Sequence, residues 1–199
     1  VHLRTVQYVD ASEAAGRPWT VAVDEIGHFS TGVMPDGPGS NQDTVRHLAL
    51  WGNLMAGGAG VAWYFGYRYP HADLNLEDWS SRDQMWEYTR HALDFFRRYL
   101  PFWEMYHHDG LTWESGDYVL AKPGELYAIY LPQGGSPVLE LKDYPHLFRV
   151  QWYDPREGGP LQTGSKPIVT GGTPTVELGA PPHTADRDWV VLVRREEGN

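Results

Sequence analysis

Apolar and polar positions change rhythm near residue 101, and the change divides the chain into two kinds of pattern. Before it, helical spacing alternates with short apolar runs. Residues 2–15 place Leu3, Val6 and Val9 at helical intervals, with Gly16 and Pro18 as the stop. Residues 19–25 form a β-branched apolar run between Arg17-Pro18 and Gly27, which predicts a strand buried on both faces. Gly, Pro, Ser and Asp crowd residues 26–41 into a long loop, and long loops within compact domains often carry function. Residues 42–55 predict a helix, capped by Ser40 or Asn41, with Val45, Leu48, Leu50, Trp51, Leu54 and Met55 available for burial. The turn 56–60 (Ala-Gly-Gly-Ala-Gly) ends it, and Val61 to Phe65 is a second apolar strand closed by Gly66. Strand, loop, helix, Gly-rich turn and strand make a βαβ unit, so the two strands are expected to run parallel. A polar loop over 67–79 leads to a helix from Ser81 to Leu100, with Met85, Tyr88, Ala92, Phe95, Phe96 and Tyr99 as its apolar stripe and Pro101 as its stop.

Beyond residue 101 the pattern alternates. Runs at 118–121, 126–131, 138–141, 148–153, 168–169, 175–178 and 189–193 are separated by turn signals such as Pro123-Gly124, Gly134-Gly135 and Gly171-Gly172. About seven short strands at such spacing predict an antiparallel β-sandwich. The boundary is expected near 104–114, giving domains over 1–104 and 115–197.

Composition narrows the function classes. A net charge of -10 argues against nucleic acid or an anionic membrane as partner. With no cysteine, disulfides and thiolate metal sites are excluded. No apolar run approaches the roughly 20 residues that span a bilayer. Nine Trp and twelve Tyr exceed what a core of this size needs, and such half-apolar, half-polar rings suit sugar-binding clefts. The chain starts without an initiating Met and without a signal-peptide pattern, so a segment upstream is expected.

Asp24 and Glu25 end the first strand, where catalytic groups of parallel α/β barrels are found. Glu25 is the first candidate for chemistry. Strand alternation would send Asp24 to the opposite side, leaving it to bind rather than to react with Glu25. His28, Trp63, Tyr64, Tyr67 and His71 are candidates for substrate contact. By the same alternation Trp63 and Phe65 share one side and Tyr64 the other, so at most one set lines a cleft. The series Asp73 to Asp78 superficially resembles a calcium loop but lacks the glycine that loop requires. His71, His107 and His108 lack zinc-ligand spacing, and no metal or cofactor is expected.

Two sets of residues carry a family resemblance. Pro18-Trp19, Asp24-Glu25-Ile26-Gly27, Val45-Arg46, Ala49-Leu50-Trp51, the run 56–60 and Trp63-Tyr64-Phe65-Gly66 together resemble the end of apiosidase-like glycoside hydrolase barrels. Residues 130–135, 152–156 and 189–193 are similar to the collagen-binding-like β-sandwich that follows those barrels. The resemblance implies an α/β plus all-β chain: the last two βα units of a TIM-type (β/α)8 barrel, then an antiparallel β-sandwich. It implies a glycoside hydrolase of plant or microbial polysaccharides with a retaining mechanism, Glu25 as nucleophile, and the acid/base residue on an upstream barrel segment outside this chain. Such relatives carry an acidic residue where this sequence has Ala62. A secreted or periplasmic protein with a carbohydrate substrate is expected. The alternative is a non-catalytic carbohydrate- or protein-binding module in which the sandwich is the working part.

Overall fold

A computed structural model describes residues 1–75, 78–113 and 116–197, which fall into two compact units, Val1–Asp94 and from Phe95 onward. The fold is α+β, a mostly antiparallel sheet with a few helices.

In the first unit, α1 (His2–Ala14) leads to β1 (Val23–Ile26), a helix α2 over 42–54, β2 (Val61–Trp63) and the start of α3 (Asp83–Tyr99). β1 and β2 run parallel, as a βαβ pattern requires, in a two-stranded sheet. Val23 opposes Val61 and Ile26 opposes Trp63, so three steps on β1 match two on β2. The extra residue is a bulge at Asp24-Glu25, with Glu25 in left-handed backbone at φ 49°.

Three expectations need correction here. The first strand is shorter than 19–25 and is not buried on both faces: Trp19, Ala22, Asp24 and Glu25 are exposed. With a single strand beside it, Val21 and Val23 stay only part-buried while Ile26 is buried. Leu3 of α1 is exposed, and the helix instead buries His2, Thr5 and Ser12. Those polar groups are satisfied: His2 Nδ1 bonds the Gly52 carbonyl at 2.8 Å, Asn53 donates to Thr5 Oγ1, and the Trp19 amide donates to Ser12 Oγ. In α2, Leu48 is exposed while Arg46 and Asn53 are buried. A π-helical stretch, Arg46–Trp51, widens the turn there and shifts the face that a regular helical period would bury.

α3 follows a 3-10 turn, Trp79–Arg82, that the Asp78 carboxylate caps by accepting from the Ser80 amide at 3.0 Å. Leu76 and Glu77 of the calcium-like series lie outside the described residues.

The second unit is dominated by a six-stranded antiparallel sheet ordered β3-β4-β5-β10-β7-β8: β3 (Tyr106–His107), β4 (Tyr118–Lys122), β5 (Leu126–Leu131), β7 (Leu147–Tyr153), β8 (Ile168–Thr170) and β10 (Trp189–Arg195). β6 (Val138–Leu139) and β9 (Val176–Glu177) form a small second sheet. Its members share one apolar cluster with the large sheet: Leu139 and Val176 pack with Tyr127, Phe148, Trp152 and Trp189. Trp152 and Trp189 meet edge to face, so their place is the core, as their strand positions predict. Two carboxylates, Asp154 and Asp188, are buried in this unit. Asp154 accepts from Arg156 Nε and Nη2 at 2.8 and 2.7 Å and from the Arg156 amide at 2.9 Å. Burial would raise the Asp154 carboxyl, but the bonds and charge of Arg156 outweigh it and hold the pKa below the usual value. The Arg156 side chain also lies over Trp189, and neighbouring Asp188 accepts from the Tyr130 hydroxyl at 2.9 Å.

Candidate functional site

The bulge puts Glu25 at the end of β1, where its amide donates to Asp24 Oδ1 at 3.0 Å. Left-handed backbone at a non-glycine residue interrupts strand alternation, so the two carboxylates are not forced to opposite faces as regular strand geometry would require. Both are exposed.

The loop after β1 and the loop after β2 are stitched together beside this point. The Val33 amide donates to the Tyr64 carbonyl at 2.7 Å, and the Tyr67 and Arg68 amides both donate to the Ser30 carbonyl. Contact this close needs glycine on each side. A Cβ on Gly32 would fall 2.1 Å from the Tyr64 oxygen, and one on Gly66 would fall 2.4 Å from the Ser30 oxygen. Asn41 holds the same loop by donating to the Gly32 carbonyl and accepting from the Met34 amide, which is why its side chain does not cap α2.

These stitches gather several of the expected site residues. The His28 ring sits 4.1 Å from Phe29, and Phe29 lies 6.4 Å from Tyr67. Tyr64 donates its hydroxyl to the Phe29 carbonyl at 2.5 Å. The Tyr64 phenol is raised above its ordinary pKa, first by partial burial and then by the carboxylates of Asp73 and Glu25. His28, Phe29, Tyr64 and Tyr67 therefore form one cluster of rings, with Tyr64 part-buried and the Glu25 charge near enough to act on its phenol.

Other candidates go elsewhere. Trp63 turns to the helix side, where its Nε1 donates to Thr89 Oγ1 at 3.2 Å, and Phe65 is buried edge-on to Trp86. Tyr64 is thus the member of the 63–65 set that joins the cluster. His71 lies near Asp78, whose carboxyl is lowered chiefly by Ser80 and in small part by His71. Its backbone, at φ 56°, is pinned by Arg82.

Phe29, Asp73 and Arg82 were not legible as site residues. Phe29 leaves a faint signal, a large apolar residue within a polar loop, and it is 67% exposed. Asp73 accepts from the Phe65 amide at 3.1 Å, which fixes the end of β2. Fully buried Arg82 gives its guanidinium to the carbonyls of Val33, Pro70 and His71 and to Ser81 Oγ, and lies over the Phe65 ring. It ties both loops to the start of α3. Among the described residues, no three His, Asp or Glu side chains group as a metal site, and no helix is long and apolar enough to cross a membrane.

The family described as "Putative collagen-binding domain of a collagenase" matches residues 110–194, which lie in the second unit and make up less than half of the chain. Two solved structures share the fold over 95% of this chain. One is a glycoside hydrolase family 5 protein from Bacteroides vulgatus ATCC 8482, with TM-score 0.64 and 14% identity. The other is described as a glycoside hydrolase, with TM-score 0.61 and 14% identity. The chain spans 44% and 45% of their respective lengths. No curated protein matches it.

Proposed function

We propose that this chain is the C-terminal part of a longer retaining glycoside hydrolase of the apiosidase-like kind, residues 1–104 closing its (β/α)8 barrel and Glu25 serving as nucleophile. The observation that carries the reading is the placement of Glu25. It is an exposed carboxylate at the C-terminal end of a parallel strand, held in a sparsely populated backbone conformation beside the ring cluster. Strained residues of this kind cluster at active sites. The fold likeness to glycoside hydrolases, of whose lengths the chain spans less than half, points the same way.

In this reading a Glu25 oxygen attacks the anomeric carbon as the glycosidic bond breaks, and a second carboxyl group from the upstream barrel gives its proton to the departing oxygen. Water then releases the sugar from Glu25, and the second carboxylate takes the water's proton. Tyr64, Tyr67, His28 and Phe29 border the sugar, and Asp24 contributes a hydrogen bond.

The test is turnover of Glu25→Gln in the complete enzyme on a panel of aryl glycosides. Loss of several orders of magnitude, roughly 4–7 kcal/mol of barrier, is expected, with a smaller loss for Asp24→Asn. Retention by Glu25→Gln with loss in Asp24→Asn would exchange the two roles. Retention by both places the chemistry elsewhere. A second readout needs no substrate: removing the Glu25 charge lowers the Tyr64 phenol pKa, read by NMR of the tyrosine ring carbons with Tyr64→Phe as assignment control.

A further inference from the structure

A cleft of about 690 Å³ opens on the second unit. Its wall includes Arg98, Trp103, Lys122, Glu125, Arg194 and Arg195. Glu197 lines it as well, so four cationic side chains meet two carboxylates, a local excess of positive charge in a chain of net charge -10.

Trp103 is 72% exposed, and Phe102 packs edge-on against its ring at 5.2 Å. Glu104 is fixed by Lys122 Nζ at 3.0 Å, and Lys122 also reaches Glu125 Oε2 at 2.7 Å. The carboxylate of Glu125 is therefore engaged by Lys122. Arg194 spends one donor on the Tyr99 carbonyl at 2.9 Å, which anchors its guanidinium at the cleft and leaves four of its five N–H groups.

A large, exposed indole face at the wall of a cleft suits the C–H face of a sugar ring. Guanidinium groups beside it suit carboxylate or sulfate, which they can take in two parallel hydrogen bonds. We infer that this cleft binds an acidic oligosaccharide, one ring on Trp103 and its anionic substituents on Arg194 and Arg195. The inference does not rest on the role of Glu25. It gives the second unit a ligand of its own.

The experiment is titration calorimetry of the protein with trigalacturonate, with a chondroitin sulfate tetrasaccharide and with neutral cellotetraose. Both acidic probes carry the required chemistry, and whichever binds more tightly identifies carboxylate or sulfate as the preferred group. Cellotetraose is expected to bind at least tenfold more weakly. Trp103→Ala and Arg195→Gln should each weaken the acidic ligand about tenfold or more, with thermal unfolding unchanged as the folding control. Arg195→Gln is preferred to a change at Arg194, which would also free the Tyr99 carbonyl. Three results would overturn the inference. They are failure of both acidic probes to bind, binding that survives Trp103→Ala (charge attraction alone), and equal binding of cellotetraose. Since binding is read rather than turnover, none of them bears on Glu25.

Discussion

The two units hold themselves together by opposite means. In the second, five- to seven-residue strands pair over long registers: β10 matches β5 from Trp189↔Leu131 to Arg194↔Leu126 and β7 from Val190↔Tyr153 to Arg195↔Phe148. A cluster of buried apolar side chains lies beneath them, and Arg156 pairs with the buried carboxylates of Asp154 and, at 3.9 Å, Asp188. The first unit has strands of four and three residues, and its loops are fixed by single polar contacts to named carbonyls. Apolar burial can tolerate drift as long as the period holds. A polar pin cannot, since each donor must find its own acceptor. Loops that must stay exposed and yet stay still are held in the second way.

That contrast can be broken by substitution. Trp152→Ala should have the largest effect, about 3–5 kcal/mol on the second unit, since a fully buried indole leaves a large cavity. Arg82→Met should cost the first unit roughly 2–4 kcal/mol by leaving carbonyls of Val33, Pro70 and His71 without their donor. Hydrogen exchange separates the two. Arg82→Met should speed exchange at the amides of Val33, Tyr67 and Arg68 and leave β5 and β10 protected, and Trp152→Ala should do the reverse. If Arg82→Met leaves those loop amides protected, the polar pin is not what holds them.

A smaller, pH-dependent effect belongs to the second unit. Burial pushes the Tyr127 phenol from 10.0 to about 12, although its oxygen accepts from the Gly124 amide at 2.6 Å. The folded chain keeps that proton where the unfolded chain has lost it. Stability is therefore complete below about pH 10 and falls as pH rises towards 12. Tyr127→Phe should cost about 1 kcal/mol at neutral pH through the stranded Gly124 amide, yet flatten the alkaline loss by roughly 2–3 kcal/mol. Denaturant titrations at pH 7 and pH 11 check it, with about half of that loss expressed by pH 11. An unchanged alkaline slope in Tyr127→Phe would assign the loss to other groups.

The same contrast decides what the sequence makes legible. Strands β4, β5, β7 and β10 follow from alternation because both their partners and their core obey a period of two. β3 is two residues long and has no period to read. In the first unit the parallel βαβ pairing is legible from Gly57, Gly60 and the flanking apolar runs, and so is Glu25 as a strand-end carboxylate. The bulge beneath Glu25 is not, because it depends on registry with β2 rather than on its own neighbours. Arg82 reads as an ordinary charge in a helix start, and nothing local announces three carbonyls waiting in two distant loops. Phe29 and Tyr67 meet only because Ser30 and Gly66 do.

The left-handed backbone at position 25 has a consequence for how this segment responds to change. A side chain with a Cβ is held there at a cost on the order of 1 kcal/mol, whereas glycine or asparagine would sit there with less strain. Random drift at this position therefore runs downhill in folding energy, towards residues that cannot attack anything. A stabilised variant selected for thermal tolerance alone would be expected to lose this glutamate early.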